Sequence, residues 1–225
     1  MAIAFKNPET QGSGETDDVV GRFRSGFQTD SGLPVSLNAF RITTGDPEVA
    51  GYVVDVMGSS DDPAVTTWET STEEKYQVFT DTNKLDIILE PGSVRATLTL
   101  WSNKGKKIVE TDGTWLIEDG KVTDKAWDGA SKSMGDIKQA ARDGVGPSPS
   151  LQAYFRIADA PVLGKFKYFS GSWTAIDNFN AAEAALDGNK EPQRATLELE
   201  RVEFTAKDGT EVSYVRPQII VLGEV

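Results

Sequence analysis

Residues 94–100 alternate without a break: Val94, Ala96, Leu98 and Leu100 point one way, and Arg95, Thr97 and Thr99 the other. Successive side chains of an extended strand face opposite sides, so this pattern suits a sheet with one face buried. The same period governs 64–127, where 65–68, Tyr76–Phe79 and 85–89 also read as strands. Asp112-Gly113 and Asp119-Gly120 are hairpin-type turns, the second lying between 115–117 and the Val122 stretch. Upstream, 19–27 and Pro34–Thr44 read as two strands across a Gly-Leu-Pro turn. Downstream, Leu151, Ala153, Phe155 and Ile157 share a face, 165–169 continues, and Ala195, Leu197 and Leu199 share another. The apolar phase then slips by one to Val202 and Phe204, and a bulge near Glu200-Arg201 is expected to return both sets to the core. Asp208-Gly209 turns the chain into Val212, Tyr214 and a last strand over 219–222.

Two segments follow helical spacing instead. Asp46 suits an N-cap, Pro47 the first helical position and Glu48 the positive end of the dipole, with Val49, Tyr52, Val53 and Val56 on one side and Gly58 beyond. A second helix is expected over about 172–187, burying Trp173, Ile176, Phe179, Ala182 and Leu186. Met134–Arg142 reads as a shorter helix, and 144–150 has the Gly/Pro/Ser composition of a linker. The expected fold is α+β and β-rich, with mostly antiparallel strands and two main helices at about 46–57 and 172–187. Its expected parts are a loose arm (1–18), a β-rich part (19–130), a helix and linker (131–150) and a β-α-β part (151–225), or one composite domain.

Composition limits the chemistry. The 225 residues include no cysteine and no histidine. Disulfides, thiolate sites, the usual zinc ligand and every histidine-containing triad are thereby excluded. Phosphate-binding loops are absent too, since Gly12-Ser-Gly14 follows no strand. Carboxylate pairs at Asp17-Asp18, Asp61-Asp62 and Glu73-Glu74 sit beside turn residues in polar loops, where solvated surface is the expected role. Asp81-Thr-Asn83 begins like a calcium loop without continuing as one. Neither cofactor nor metal is expected. The N-terminal apolar stretch is too short for a signal peptide, and no run nears the roughly 20 apolar residues of a membrane span, so an intracellular protein is expected.

The net charge is −12, from 35 acidic and 23 basic residues. Such a surface repels phosphate and favours a basic partner. Single-stranded DNA binding remains an alternative because of Arg22-Phe23-Arg24 with Phe27, and 165–169 (Lys-Phe-Lys-Tyr-Phe). Alternation weakens it by turning Phe166 and Tyr168 away from Lys165 and Lys167, toward a core. Trp68, Trp101, Trp115, Trp127 and Trp173 are expected mostly in the core, and any exposed one is a natural anchor for a partner.

The order of segments resembles the actinophage recombination directionality factors. The residues that carry the resemblance begin with Val20-Gly-Arg22-Phe-Arg24-Ser-Gly26, Pro34, Leu37-Asn-Ala-Phe40-Arg41-Ile-Thr43 and Asp46. They continue through Trp68-Glu69, Tyr76-Gln-Val78-Phe-Thr80 and Leu98-Thr-Leu-Trp101. Strongest is 151–169 with Pro161-Val-Leu-Gly164-Lys-Phe166, leading into Ser170-Gly171-Ser172-Trp173. The match closes with Ala195-Thr-Leu197-Glu-Leu199, Val202-Glu-Phe204 and Tyr214-Val-Arg216-Pro217. Members often carry cysteines near the stretch here reading Glu110-Thr-Asp112-Gly113, so a metal-stabilised insert is not carried over.

The resemblance implies a non-enzymatic switch that binds a phage serine integrase on its DNA sites in the bacterial cytoplasm. It would favour attL by attR excision over attP by attB integration, without reading DNA sequence itself. Among the shared residues, Phe40, Arg41, Gly164, Phe166, Gly171, Ser172 and Trp173 are expected to serve packing and turns, and no residue is assigned to the partner. A β-rich virion protein is a further alternative, and repeated self-assembly would be its mark.

Overall fold

The computed structural model describes residues 19–29, 34–59, 61, 64–68, 70 and 72–225. The expected arm, Gly32-Leu33 of the first turn, Asp62 and Glu69 lie outside them. In chain order the elements are β1 (Val19–Gln28), β2 (Pro34–Thr44), α1 (Pro47–Met57), β3 (Thr66–Thr67), β4 (Tyr76–Phe79), β5 (Lys84–Trp101), β6 (Lys107–Thr111), β7 (Trp115–Glu118) and β8 (Lys121–Ala126). They continue with α2 (Met134–Arg142), β9 (Ser148–Ile157), β10 (Lys165–Ser170), α3 (Ile176–Leu186), β11 (Gln193–Thr205) and β12 (Glu211–Glu224).

The strands pair in the order β3-β4-β2-β1-β10-β9-β5-β6-β7-β8, with β11 on the other side of β5 and β12 beyond it. All pairings between these strands are antiparallel except one. β1 and β10 run parallel, setting Arg22 beside Lys167 and Phe23 beside Tyr168. Two segments that are far apart in sequence thus become neighbours at the middle of the sheet. β11 and β12 both reach back to contact β2.

One face of the sheet is the core. Phe23 lies edge-on to Phe40, Phe155 and Phe166, with ring centroids 5.5, 5.3 and 5.3 Å away. Each buried phenylalanine of this kind stabilises by about 1.5–3 kcal/mol through area removed from water. Helix α1 covers the core with Val49, Ala50, Val53 and Met57, and α3 with Phe179, Ala182 and Leu186. Asp46 caps α1 by accepting the Glu48 N–H, as its position before Pro47 predicts.

Strand β5 is the longest, and it carries the main irregularity. Opposite β9 its register jumps between Leu89 and Val94, and Gly92 takes φ 73°. Glu90–Ser93 lie opposite Tyr154 alone and form this bulge. Over 84–89 the far side of β5 pairs with β11, and from Leu98 onward with β6. Helix α3 lies against β5, and Glu183 accepts the Ala96 N–H at 3.0 Å. A carboxylate takes the place of a strand where none reaches.

The helices number three among the described residues: the two expected as main ones and the shorter one expected at Met134–Arg142, which is capped and packs Ile137 with Leu98 and Trp127. Two expectations need correction. The helix expected from 172 starts at Ile176, since 173–175 winds as a tighter 3-10 turn. No bulge occurs at Glu200-Arg201: β11 and β12 pair without interruption from Ala195↔Val221 to Thr205↔Glu211, and the shift lies at Arg194/Ala195. Val202 and Phe204 therefore face away from Leu197 and Leu199. The physical reason is support. β5 pairs with β11 only as far as Glu198; beyond it Leu199 and Val215 keep the inner face on the core, while Val202 and Phe204 stay on the outer one.

The segment 144–150, linker-like in composition, leads directly into the sheet, with Gly146, Pro147, Pro149 and Ser150 buried.

Candidate partner-binding surface

The sheet face opposite the helices collects the charged residues that alternation turns outward. Pairing places Arg22 beside Thr43, Arg24 beside Arg41, and Arg41 beside Phe79. Glu74 lies between two of these arginines, 2.5 Å from Arg22 Nε and 3.1 Å from Arg24 Nη2. It also accepts the Thr43 hydroxyl, and Thr43 accepts from Arg24 Nε. The Trp68 indole N–H donates to the Glu74 carbonyl at 2.6 Å. The Arg41 guanidinium sits 4.4 Å from the Trp68 ring centroid and within 5.9 Å of the Phe27 and Phe79 rings, while donating to Gln77 at 2.8 Å. Stacking of this kind holds a planar cation by the ring quadrupole.

The face continues across β10 and β9, where Lys167 lies 4.9 Å from the Tyr154 ring. The sheet order therefore joins the two basic segments of the sequence, 22–24 and 165–167. Alternation had already separated their aromatics correctly, with Phe166 and Tyr168 fully buried. The parallel pairing that unites the cations left no local trace in the sequence.

Farther along, Arg95 is 3.5 Å from Glu110, which also pairs with Lys107 at 2.6 Å. Glu183 is half-buried, and burial holds its carboxyl above the usual value, with the Ala96 N–H opposing. Among the described residues no group of three or more acids could hold a metal ion. Asp61 and Glu73 are exposed, and Glu74 is committed to arginines. Asp81 accepts the Ser59 hydroxyl, and Asn83 donates to the Leu199 carbonyl. Asp17, Asp18 and Asp62 lie outside the described residues.

The residues shared with the resembled family fall at several kinds of place. Phe40 and Phe166 are in the core, and Arg41 is in the stacked cluster. Gly164 has φ 110°, and a Cβ there would meet Val20 Cγ1 at 2.7 Å. Gly171 is exposed, and the Ser172 N–H donates to Ser170 Oγ. Trp173 packs beside Leu98, Trp127 and Ile137, with Lys138 5.7 Å from its ring. The tryptophans were expected mostly in the core, but only Trp127 of the five is buried, Trp68, Trp101 and Trp173 are half-buried, and Trp115 is 41% exposed. No single-residue rule marks which tryptophans stay in water, because β7 and β8 form a narrow hairpin at the sheet's end.

The family model described as Gp3-like, recombination directionality factor-like, matches residues 20–222. The chain belongs to that family. The match covers both basic segments, the stacked arginine cluster and most of the long β11–β12 hairpin. No solved structure matches it. Among the described residues of this directionality factor-like chain, no helix is long and apolar enough to cross a membrane.

Proposed function

We propose that the chain is a recombination directionality factor that binds a phage serine integrase and switches it from attP by attB integration to attL by attR excision. The family match over residues 20–222 carries this reading. The net charge of −12 supports it, since an acidic factor is steered toward a basic, DNA-bound recombinase. The factor performs no chemistry of its own. It acts by binding one arrangement of the integrase coiled-coil arm better than another, and only that differential affinity moves the outcome. A recombinase so placed works in the cytoplasm of the bacterial host.

The test is recombination in vitro with the cognate integrase. Excision of attL and attR substrates should require the chain, and integration of attP and attB substrates should fall when it is added. An active integrase whose two reactions are unchanged by the chain contradicts the reading.

One observation favours a second reading, single-stranded DNA binding: the outer face that joins Arg22 to Lys167 and Tyr154. A gel shift with single-stranded oligonucleotides at physiological salt separates the two readings.

A further inference from the structure

Beyond Glu198 the β11–β12 hairpin continues as a two-stranded ribbon without β5 beside it. Its two faces differ. On one, Val202 lies opposite Tyr214 and Phe204 opposite Val212, making a strip of four apolar side chains. Phe204 is 49% exposed. The other face packs Val215 against the core and is polar beyond it: Arg201 pairs with Glu203 at 2.7 Å, Ser213 donates to Glu203 and Thr205 to Glu211. Isolated two-stranded hairpins are marginal in water, and an apolar face on one is an unmet need for burial.

The surroundings say what kind of partner fits. Arg216, next to the strip, is held by Glu200 at 2.5 Å, and Arg201 by Glu203, so both arginines are neutralised locally. Glu198 on the strip's own face, with Asp208 and Glu211 against Lys207 toward the tip, leaves the margin net acidic, on a chain of net charge −12. A second copy would bring the same acidic margin and the same net charge, and like charges disfavour that pairing. A protein with an apolar stripe flanked by basic side chains matches both features.

We propose that this ribbon, through Val202, Phe204, Val212 and Tyr214, is the docking element for a basic protein partner. Resting on the reading above, that partner is the serine integrase. The four residues form the anchor, and the acidic margin steers the approach.

The experiment measures binding of the full-length chain to the full-length cognate integrase, by titration calorimetry, alongside excision in vitro. Phe204→Ser and Tyr214→Ser are compared with wild type and with Val162→Ser, a 94% exposed control away from the ribbon. Thermal melts establish that each variant folds. The expected result is binding weakened about tenfold or more by each ribbon variant, as for an interface anchor, with the control unchanged. Wild-type binding and excision that persist equally in both ribbon variants overturn the docking element while leaving the directionality reading intact. A wild-type chain that neither binds the integrase nor alters recombination overturns both. Sedimentation showing a wild-type dimer that Phe204→Ser dissolves assigns the ribbon to self-association and likewise overturns the proposal.

Discussion

Glu183 holds the Ala96 N–H where no strand reaches, and burial raises its pKa above the ordinary glutamate value of 4.5. A raised carboxyl pKa means that the folded state favours the neutral form. The stabilisation it offers is complete below the unfolded value and is lost as pH rises through the folded one. Glu183→Gln keeps an acceptor for Ala96 and removes the charge. The variant is expected to melt above wild type at pH 7, with the gap closing below pH 4.5, by calorimetric scans across that range. Gly164 is a second position where one atom decides. Its φ of 110° and the 2.7 Å approach of Val20 Cγ1 leave no room for a Cβ, and Gly164→Ala should lower stability by about 2 kcal/mol in urea melts. The glycine was singled out from the sequence for its place in a shared motif. The close approach of Val20 comes from a strand distant in sequence, which no local pattern records.

Strand β12 pairs only with β11 among the described strands, and edge strands invite unwanted pairing. Two devices blunt this one. Asn178 of α3 accepts the Ile219 N–H at 2.6 Å and donates to the Ile219 carbonyl at 3.1 Å, while Pro217 lacks an N–H. Asn178→Ala is expected to cost about 1–3 kcal/mol and to speed hydrogen exchange at the Ile219 amide, read by NMR. Most elements were readable from period alone: Pro34–Thr44, Tyr76–Phe79 and Met134–Arg142 have the expected bounds. Where the period was sound but its meaning was not, long-range pairing decided. The slip after Leu199 looks like a bulge if a core continues. It is instead the point where β5 stops supporting β11, and the apolar side chains turn outward.

At the level of the whole chain, the sheet is woven from both ends of the sequence. β1 pairs with β10, and β5 lies between β9 and β11. Fragments 19–145 and 146–225 should each lack a cooperative melt when made separately, because either one loses the neighbours of its central strands. Circular dichroism of each fragment and of their mixture checks this, and a sharp transition in either fragment alone contradicts it. The candidate surface was partly readable in the same way: each basic segment could be seen, and their adjacency could not.

The parallel pairing of β1 with β10 also has a consequence in time. A ribosome adds roughly 5–20 residues per second, so β1 emerges on the order of ten seconds before the strand that completes its inner edge. Through that interval β1 can hold only β2, and Phe23, which needs Phe155 and Phe166 around it, stays wet. The nascent chain therefore exposes Phe23, a central residue of its core, for most of its own synthesis. Its yield in a cell should depend on how fast translation runs between codons 30 and 165.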